Sequence, residues 1–166
     1  IGWQAVGIAP VRNNYSGLVP VPGNGTYEWE GYLPIIQKPN ELNPEKGFIA
    51  TANQNVTPNE YDNWNAIGYS WSDPYRGDRV NEVLAKNDQL NREDMKNIQV
   101  DVTSLPAKIL IPFLEEIDFE EFVTEQKNRL LNWNFLLESS SIEAAIYVEW
   151  ENEIKRMAHK QFVPEI

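Results

Sequence analysis

The stretch Asn43-Pro44-Glu45-Lys46-Gly47-Phe48-Ile49-Ala50-Thr51-Ala52-Asn53-Gln54 decides how the rest of the chain is read. Pro44 to Gly47 has the chemistry of a turn, and the run that follows is apolar almost to its last residue. That pattern predicts a strand over 47–53, the strongest strand signal in the chain. The run ends on an amide side chain, where a rigid scaffold can hold a hydrogen-bond donor in one place. An asparagine amide can stabilise the oxyanion of a tetrahedral intermediate. Asparagine is equally at home in turns and Asx motifs, and for Asn53 taken alone that is the simpler reading.

Upstream, Ile1 to Ala9 reads as a first strand, broken by Pro10 and by Asn13-Asn14. Gly23-Asn24-Gly25 is a turn. Nothing sets it between a strand and a helix, so it is no phosphate loop, and no Gly-x-Gly-x-x-Gly or Walker pattern occurs elsewhere. Tyr27-Glu28-Trp29-Glu30 alternates aromatic and acidic residues. A glycan-binding surface built on Tyr27, Trp29 and Trp64 is one reading of these rings, and packing is the plainer one.

Downstream the pattern turns helical. Asp73-Pro74 opens a helix running through Lys86, with a cap candidate followed by proline at the first helical position. Asn91 caps a second helix, with Asp94 at the capping-box position. Ser104 starts a third, whose Ile109, Leu110, Phe113, Leu114 and Ile117 make an apolar stripe. A fourth is predicted over 119–131 and a fifth over 139–157, the last apolar round much of its girth and expected to be buried on more than one side. The chain is thus expected to be one α+β segment over 1–166, with antiparallel strands in 1–55. Residues 1–72 form its strand and loop part and 73–166 its helical part.

Composition narrows the function classes. With 25 acidic and 14 basic side chains the net charge is -11, which argues against a nucleic-acid partner, since lysine and arginine must replace counterions along the phosphates. The absence of cysteine excludes disulfides, thiolate catalysis and Cys-based zinc. No apolar run reaches the length of a membrane span, and no basic segment precedes an apolar core. Asn-x-Ser/Thr sequons begin at Asn14, Asn24 and Asn55 and matter only in a eukaryotic secretory context. The lone histidine, His159, has no nucleophile specified beside it and reads as a helix-end side chain. The carboxylates Glu115, Glu116, Asp118, Glu120 and Glu121 read as a solvated helix junction rather than an acid–base pair. Arg76 and Arg79 share one face at a helix start, where the dipole opposes them, so each is expected to have a carboxylate or carbonyl partner.

Several segments together resemble a known family, the penicillin acylases, a group of N-terminal-nucleophile hydrolases that includes cephalosporin and acyl-homoserine-lactone acylases. Ile1-Gly2-Trp3 with Gly7, Tyr27-Glu28-Trp29-Glu30-Gly31-Tyr32-Leu33-Pro34, and Asn43 to Gln54 match in order. Pro74-Tyr75-Arg76 with Arg79-Val80, Gln99 with Asp101, and Leu131 with Trp133 follow. The resemblance implies a part of a four-layer αββα sandwich and acyl transfer through a covalent ester on an N-terminal serine, exposed by autocatalytic cleavage of a precursor. It implies that Asn53 donates its amide to the oxyanion hole and that Arg79 supports that site. Gln54 departs from the second asparagine common at that place.

The same resemblance puts the serine far upstream of Ile1. Ser16 is internal and has no free amine, so it cannot replace that serine. The segment is therefore expected to be an inactive internal piece of a β chain. Its partners would be the α chain, the remainder of the β chain and a small acyl-amide substrate, with self-association through exposed strand edges. A periplasmic or extracellular parent is favoured. A structural calcium is implied for the full-length protein, with Asp62 the nearest carboxylate candidate. The alternative is a non-catalytic binding or scaffold domain of the same architecture.

Overall fold

A computed structural model describes residues 1–86 and 89–163, which divide into two units, Ile1–Leu90 and Asn91–Ile166. In the first, β1 (Gly2–Gln4) pairs antiparallel with β2 (Asn40–Leu42), Trp3 opposite Glu41. Ala5 N–H extends the ladder to Pro39 C=O at 3.0 Å. Gly7, with φ at +89°, then takes the chain out of the extended region, which is why the expected strand over 1–9 stops so early. Pairing resumes where Val11 N–H meets Gly31 C=O and Leu33 N–H meets Ala9 C=O, around a bridge between Pro10 and Tyr32. Lys38, buried on the return path, donates its ammonium to Gly7 C=O.

The run over 47–53 is not a strand. Phe48, Ile49 and Ala50 are half-buried as an apolar run should be, yet none of 47–53 is paired in a ladder among the described residues. A strand exists only where its N–H and C=O groups meet a neighbour's, and here β1 takes 40–42 as its partner instead. Apolar content alone did not supply the missing edge.

A short helix, α1 (Trp64–Ile67), docks on the first segment through Arg12 N–H to Asn65 C=O at 3.1 Å and Asn65 Nδ2 to Asn13 Oδ1 at 2.6 Å. Helix α2 (Tyr75–Ala85) follows. Asp73 Oδ1 accepts from Tyr75 N–H at 3.2 Å, with Pro74 just ahead of the first helical residue.

The second unit is helical; the caps at Asn91 and Ser104 are those the sequence predicts, while the last helix is capped by Ser141 rather than starting at 139. In α3 (Arg92–Gln99) the Asn91 amide oxygen accepts from Glu93 and Asp94 N–H, and Asp94 accepts back from Asn91 N–H at 2.8 Å. Ser104 Oγ caps α4 (Leu105–Leu110) through Ala107 N–H, and Ser141 Oγ caps α6 (Ile142–Phe162) through Ala144 N–H. Each such cap contributes about 1 kcal/mol. Between them lie a 3₁₀ helix (Ile111–Glu116) and α5 (Glu121–Leu131). The core gathers Ala107, Ile111, Leu114, Leu130, Trp133, Ala144 and Tyr147.

Two burial expectations are corrected here. Along α4 and the 3₁₀ helix after it, the inward face is Ala107, Ile111 and Leu114, while Ile109, Phe113 and Ile117 stay exposed. Pro112 cannot donate to the carbonyl four residues back. The chain tightens to three residues per turn from Ile111, which aligns 111 with 114 and swings 113 and 117 outward. Helix α6 is buried on one face only, through Ala144 and Tyr147 with Ile146 and Trp150 beside them; Met157 and Phe162 are exposed.

The order of elements, a small antiparallel β segment and then a mainly helical block, is the expected α+β fold class. Large apolar side chains remain on the surface of both units, Val6, Ile8 and Ile36 in the first and Phe122 and Phe162 in the second.

Candidate functional site

At the end of the apolar run the backbone bends through Ala52, Asn53 and Gln54. Asn53 sits at φ 65°, in the left-handed region that asparagine tolerates better than other side-chain-bearing residues. Three contacts hold the bend. Ser72 N–H donates to Asn53 C=O at 3.1 Å, and Ala52 N–H donates to Gln54 Oε1 at 2.6 Å. Arg76, in the first turn of α2, donates one guanidinium nitrogen to both Ala52 C=O at 2.8 Å and Asn53 Oδ1 at 2.6 Å.

The Arg76 contact fixes the amide's sense. A guanidinium has donors and no acceptor, so only the oxygen of the Asn53 amide can face it. The Nδ2 protons are left pointing elsewhere, and among the described residues they meet no acceptor. The bend therefore presents an exposed amide donor on a backbone anchored at both sides.

Gln54 lies against α2 where the helix carries Gly77. A Cβ on Gly77 would stand 2.4 Å from Gln54 Cδ, closer than side chains approach. A buried glycine inside a helix costs about 1 kcal/mol relative to alanine, so here the close approach of Gln54 is its reason. Gly77→Ala is expected to cost no more than about 1 kcal/mol, because the atoms in the way are the far end of the flexible Gln54 side chain. That end can turn aside by giving up its bond from Ala52 N–H, while the helix preference of alanine acts in the opposite direction. In Gln54→Ala/Gly77→Ala the obstacle is gone and the loss should shrink. Urea unfolding of the two variants measures this. A Gly77→Ala protein more stable than the parent chain would show that Gln54 does not pack there.

Arg79, one turn further along α2, is largely covered and pairs with Glu82 at 2.9 Å; Glu82 also meets Lys86 at 2.5 Å. The two arginines thus have the partner types expected of them, a carbonyl for Arg76 and a carboxylate for Arg79. What sequence reasoning missed is that Arg76 is the one bonded to the Asn53 side chain. The signal was present: an arginine against the helix dipole needs a partner, and the amide at the end of the run needed an orienting group.

The other candidates lie apart from this bend or gather nothing. Asp62 is exposed ahead of α1, and no group of three or more His, Asp or Glu side chains comes together among the described residues. His159 is in the exposed last turn of α6, and Glu115, Glu116, Asp118, Glu120 and Glu121 are all exposed. The aromatic rings form separate pairs rather than one platform: Tyr27 on Tyr15, Trp29 on Tyr32, and Trp64 between Tyr61 and Tyr69. Tyr61 also donates to Gln37 C=O at 3.0 Å, and burial pushes its hydroxyl above the usual phenol range. Among the described residues no helix is long and apolar enough to cross a membrane.

The matches to known proteins run over nearly the whole chain. The family model for penicillin amidase matches residues 1–165. The acyl-homoserine lactone acylase QuiP of Pseudomonas aeruginosa is 30% identical over 172 residues, covering 94% of this chain and 20% of that protein. The penicillin acylase 2 proenzyme of Pseudomonas sp. (strain SE83) is 26% identical over 151 residues, covering 89% of this chain and 19% of that protein. Among solved structures, the thermostable penicillin G acylase from Alcaligenes faecalis superposes with a TM-score of 0.76 at 19% identity, over 99% of this chain and 31% of that one. The chain spans about 20% of the length of the curated relatives it matches.

Proposed function

The chain belongs to the penicillin amidase family, and from that premise we propose that it supplies one donor of the oxyanion hole of an amide hydrolase. The observation that carries the reading is the Asn53 amide, whose oxygen is taken by Arg76 so that its Nδ2 protons are free to donate. In this reading a serine at the N-terminus of the processed parent chain attacks the amide carbonyl of the substrate. Its own α-amine accepts the hydroxyl proton and passes it to the leaving amine. As the carbonyl carbon becomes tetrahedral, negative charge gathers on its oxygen, and Asn53 Nδ2 donates to it. Arg79 supports the site electrostatically, as a covered cation on the same helix as Arg76. The water that then hydrolyses the acyl ester meets the same donor, since the second intermediate carries the same oxyanion.

The serine, the second oxyanion donor and the acyl pocket belong to the rest of the parent, the α chain and the remaining β chain, in a periplasmic or extracellular enzyme. The substrate class is a linear amide with a detachable acyl chain, of the penicillin, cephalosporin or N-acyl homoserine lactone type. Residues 1–166 alone have no nucleophile with a free amine and are expected to be inactive.

The test is the complete gene product. N-terminal sequencing and mass measurement of the mature subunits should find a cut upstream of Ile1 that leaves serine as the first residue. A mature protein with no such new N-terminus would overturn the reading.

A further inference from the structure

Resting on that reading of Asn53, we infer that Arg76 is the positioning residue that orients and polarises the oxyanion donor, a role separate from that of Arg79. The amide of an asparagine can present either end, and only one end carries protons. At φ 65° the Asn53 backbone is fixed by Ser72 N–H, but that bond leaves the side chain free to rotate. The Arg76 guanidinium removes this freedom. It lies 2.6 Å from Asn53 Oδ1 and 2.8 Å from Ala52 C=O, so one nitrogen ties the side chain and the preceding carbonyl to the same helix turn.

The second effect is electronic. A cation bonded to the amide oxygen draws density from the nitrogen, which makes the Nδ2 protons stronger donors to a developing anion. Both effects point the same way, and both grow once substrate excludes water from the bend. Arg79, one turn along, has its Nη1 bonded to Glu82 at 2.9 Å. Arg76 touches neither substrate nor nucleophile in this arrangement; it acts through Asn53.

A double-mutant cycle in the full-length mature enzyme tests this, comparing Arg76→Met, Asn53→Gly and the double variant by kcat and KM separately. Arg76→Met should lower kcat by about 10- to 100-fold, the cost of a misplaced catalytic group, with KM little changed. The decisive reading is non-additivity: the double variant should be no slower than Asn53→Gly alone, because Arg76 has nothing left to orient. Arg76→Lys, which keeps a charged donor, should recover part of the lost kcat and guards against a Met variant that fails to fold. Losses that multiply in the double variant, or an Arg76→Met enzyme with normal kcat beside a slow Asn53→Gly enzyme, would overturn the positioning role while leaving Asn53 in place. A normal Asn53→Gly enzyme would instead remove the oxyanion reading itself.

Discussion

Replacing Asn53 by glycine, alanine or aspartate in the full-length enzyme is expected to lower kcat by about 10²–10³ while KM stays within a few-fold. That is the loss seen when one oxyanion donor is removed from other hydrolases. The three variants separate two roles that one substitution would confuse. Asn53 has φ 65°, a conformation alanine adopts at a cost, so Asn53→Ala loses the donor and strains the bend together. Asn53→Gly keeps the bend without strain and loses only the side chain. Asn53→Asp keeps the shape and an oxygen for Arg76 but has no proton to give. It also puts a negative charge beside the forming oxyanion, so it should be the slowest of the three. Steady-state kinetics with an acyl amide measures all of them. If Asn53→Gly turned over normally and only Asn53→Ala were slow, the residue would be a turn former and nothing more. Normal turnover in all three would remove the oxyanion role outright.

What could be read in the sequence depended on how local the deciding contact was. The caps at Asn91, Ser104 and Ser141 close within three residues, and the first two are legible as letters. The third is not, because Ser139, Ser140 and Ser141 offer the same chemistry in a row and the letters do not single out Ser141. The apolar run over 47–53 has every local property of a strand. Pairing is non-local, however, and Asn40–Leu42 took the place beside β1. The inward face of α4 and the 3₁₀ helix depends on Pro112, whose effect on the helical period is not contained in the spacing of the apolar residues. Of the site, Asn53 was visible as an amide at the end of an apolar run, and the family resemblance singled it out. The link to Arg76 spans 23 residues and exists only because α2 docks against the bend, so no spacing rule could contain it. Gly77 was the overlooked hint. A glycine in mid-helix asks what comes close, and the answer is Gln54, next to the residue of interest.

These contacts also say why the site residues are held as they are. Asn53 is exposed, and an exposed amide on a free loop would sample many orientations at little cost. Here the bend is fastened through Ser72 on its carbonyl, Arg76 on its side chain and Gln54 wedged over Gly77. In the proposed role, this would pre-organise the donor before any charge develops, which is the condition under which such a group lowers a barrier rather than merely binding.

The helical unit should depend on one side chain more than on any other, and Trp133→Ala is expected to destabilise it by about 3–5 kcal/mol. Trp133 is 7% exposed and fills the middle of the core, with its ring centroid 5.6 Å from that of Tyr147 and 5.8 Å from that of Phe135. Alanine would leave a cavity bounded by the 3₁₀ helix, α5 and α6, which pack around the ring from several sides and cannot all close in. Domains are stable by only about 5–15 kcal/mol, so this loss would take a large share of the margin. Trp133→Phe is the informative control. Its indole N–H is buried with no partner among the described residues, so phenylalanine gives up volume but also removes a desolvated donor. The two terms oppose each other, and the net cost should be about 1 kcal/mol. Urea unfolding followed by far-UV circular dichroism reads the helical unit without relying on tryptophan emission, which the chain's 6 tryptophans would blur. The expected order of midpoints is parent chain, then Trp133→Phe, then Trp133→Ala well below both. If Trp133→Ala unfolded at the same urea concentration as the parent chain, Trp133 would not be the keystone of this core, and α5 and α6 would have to be held by the surrounding aliphatic contacts alone.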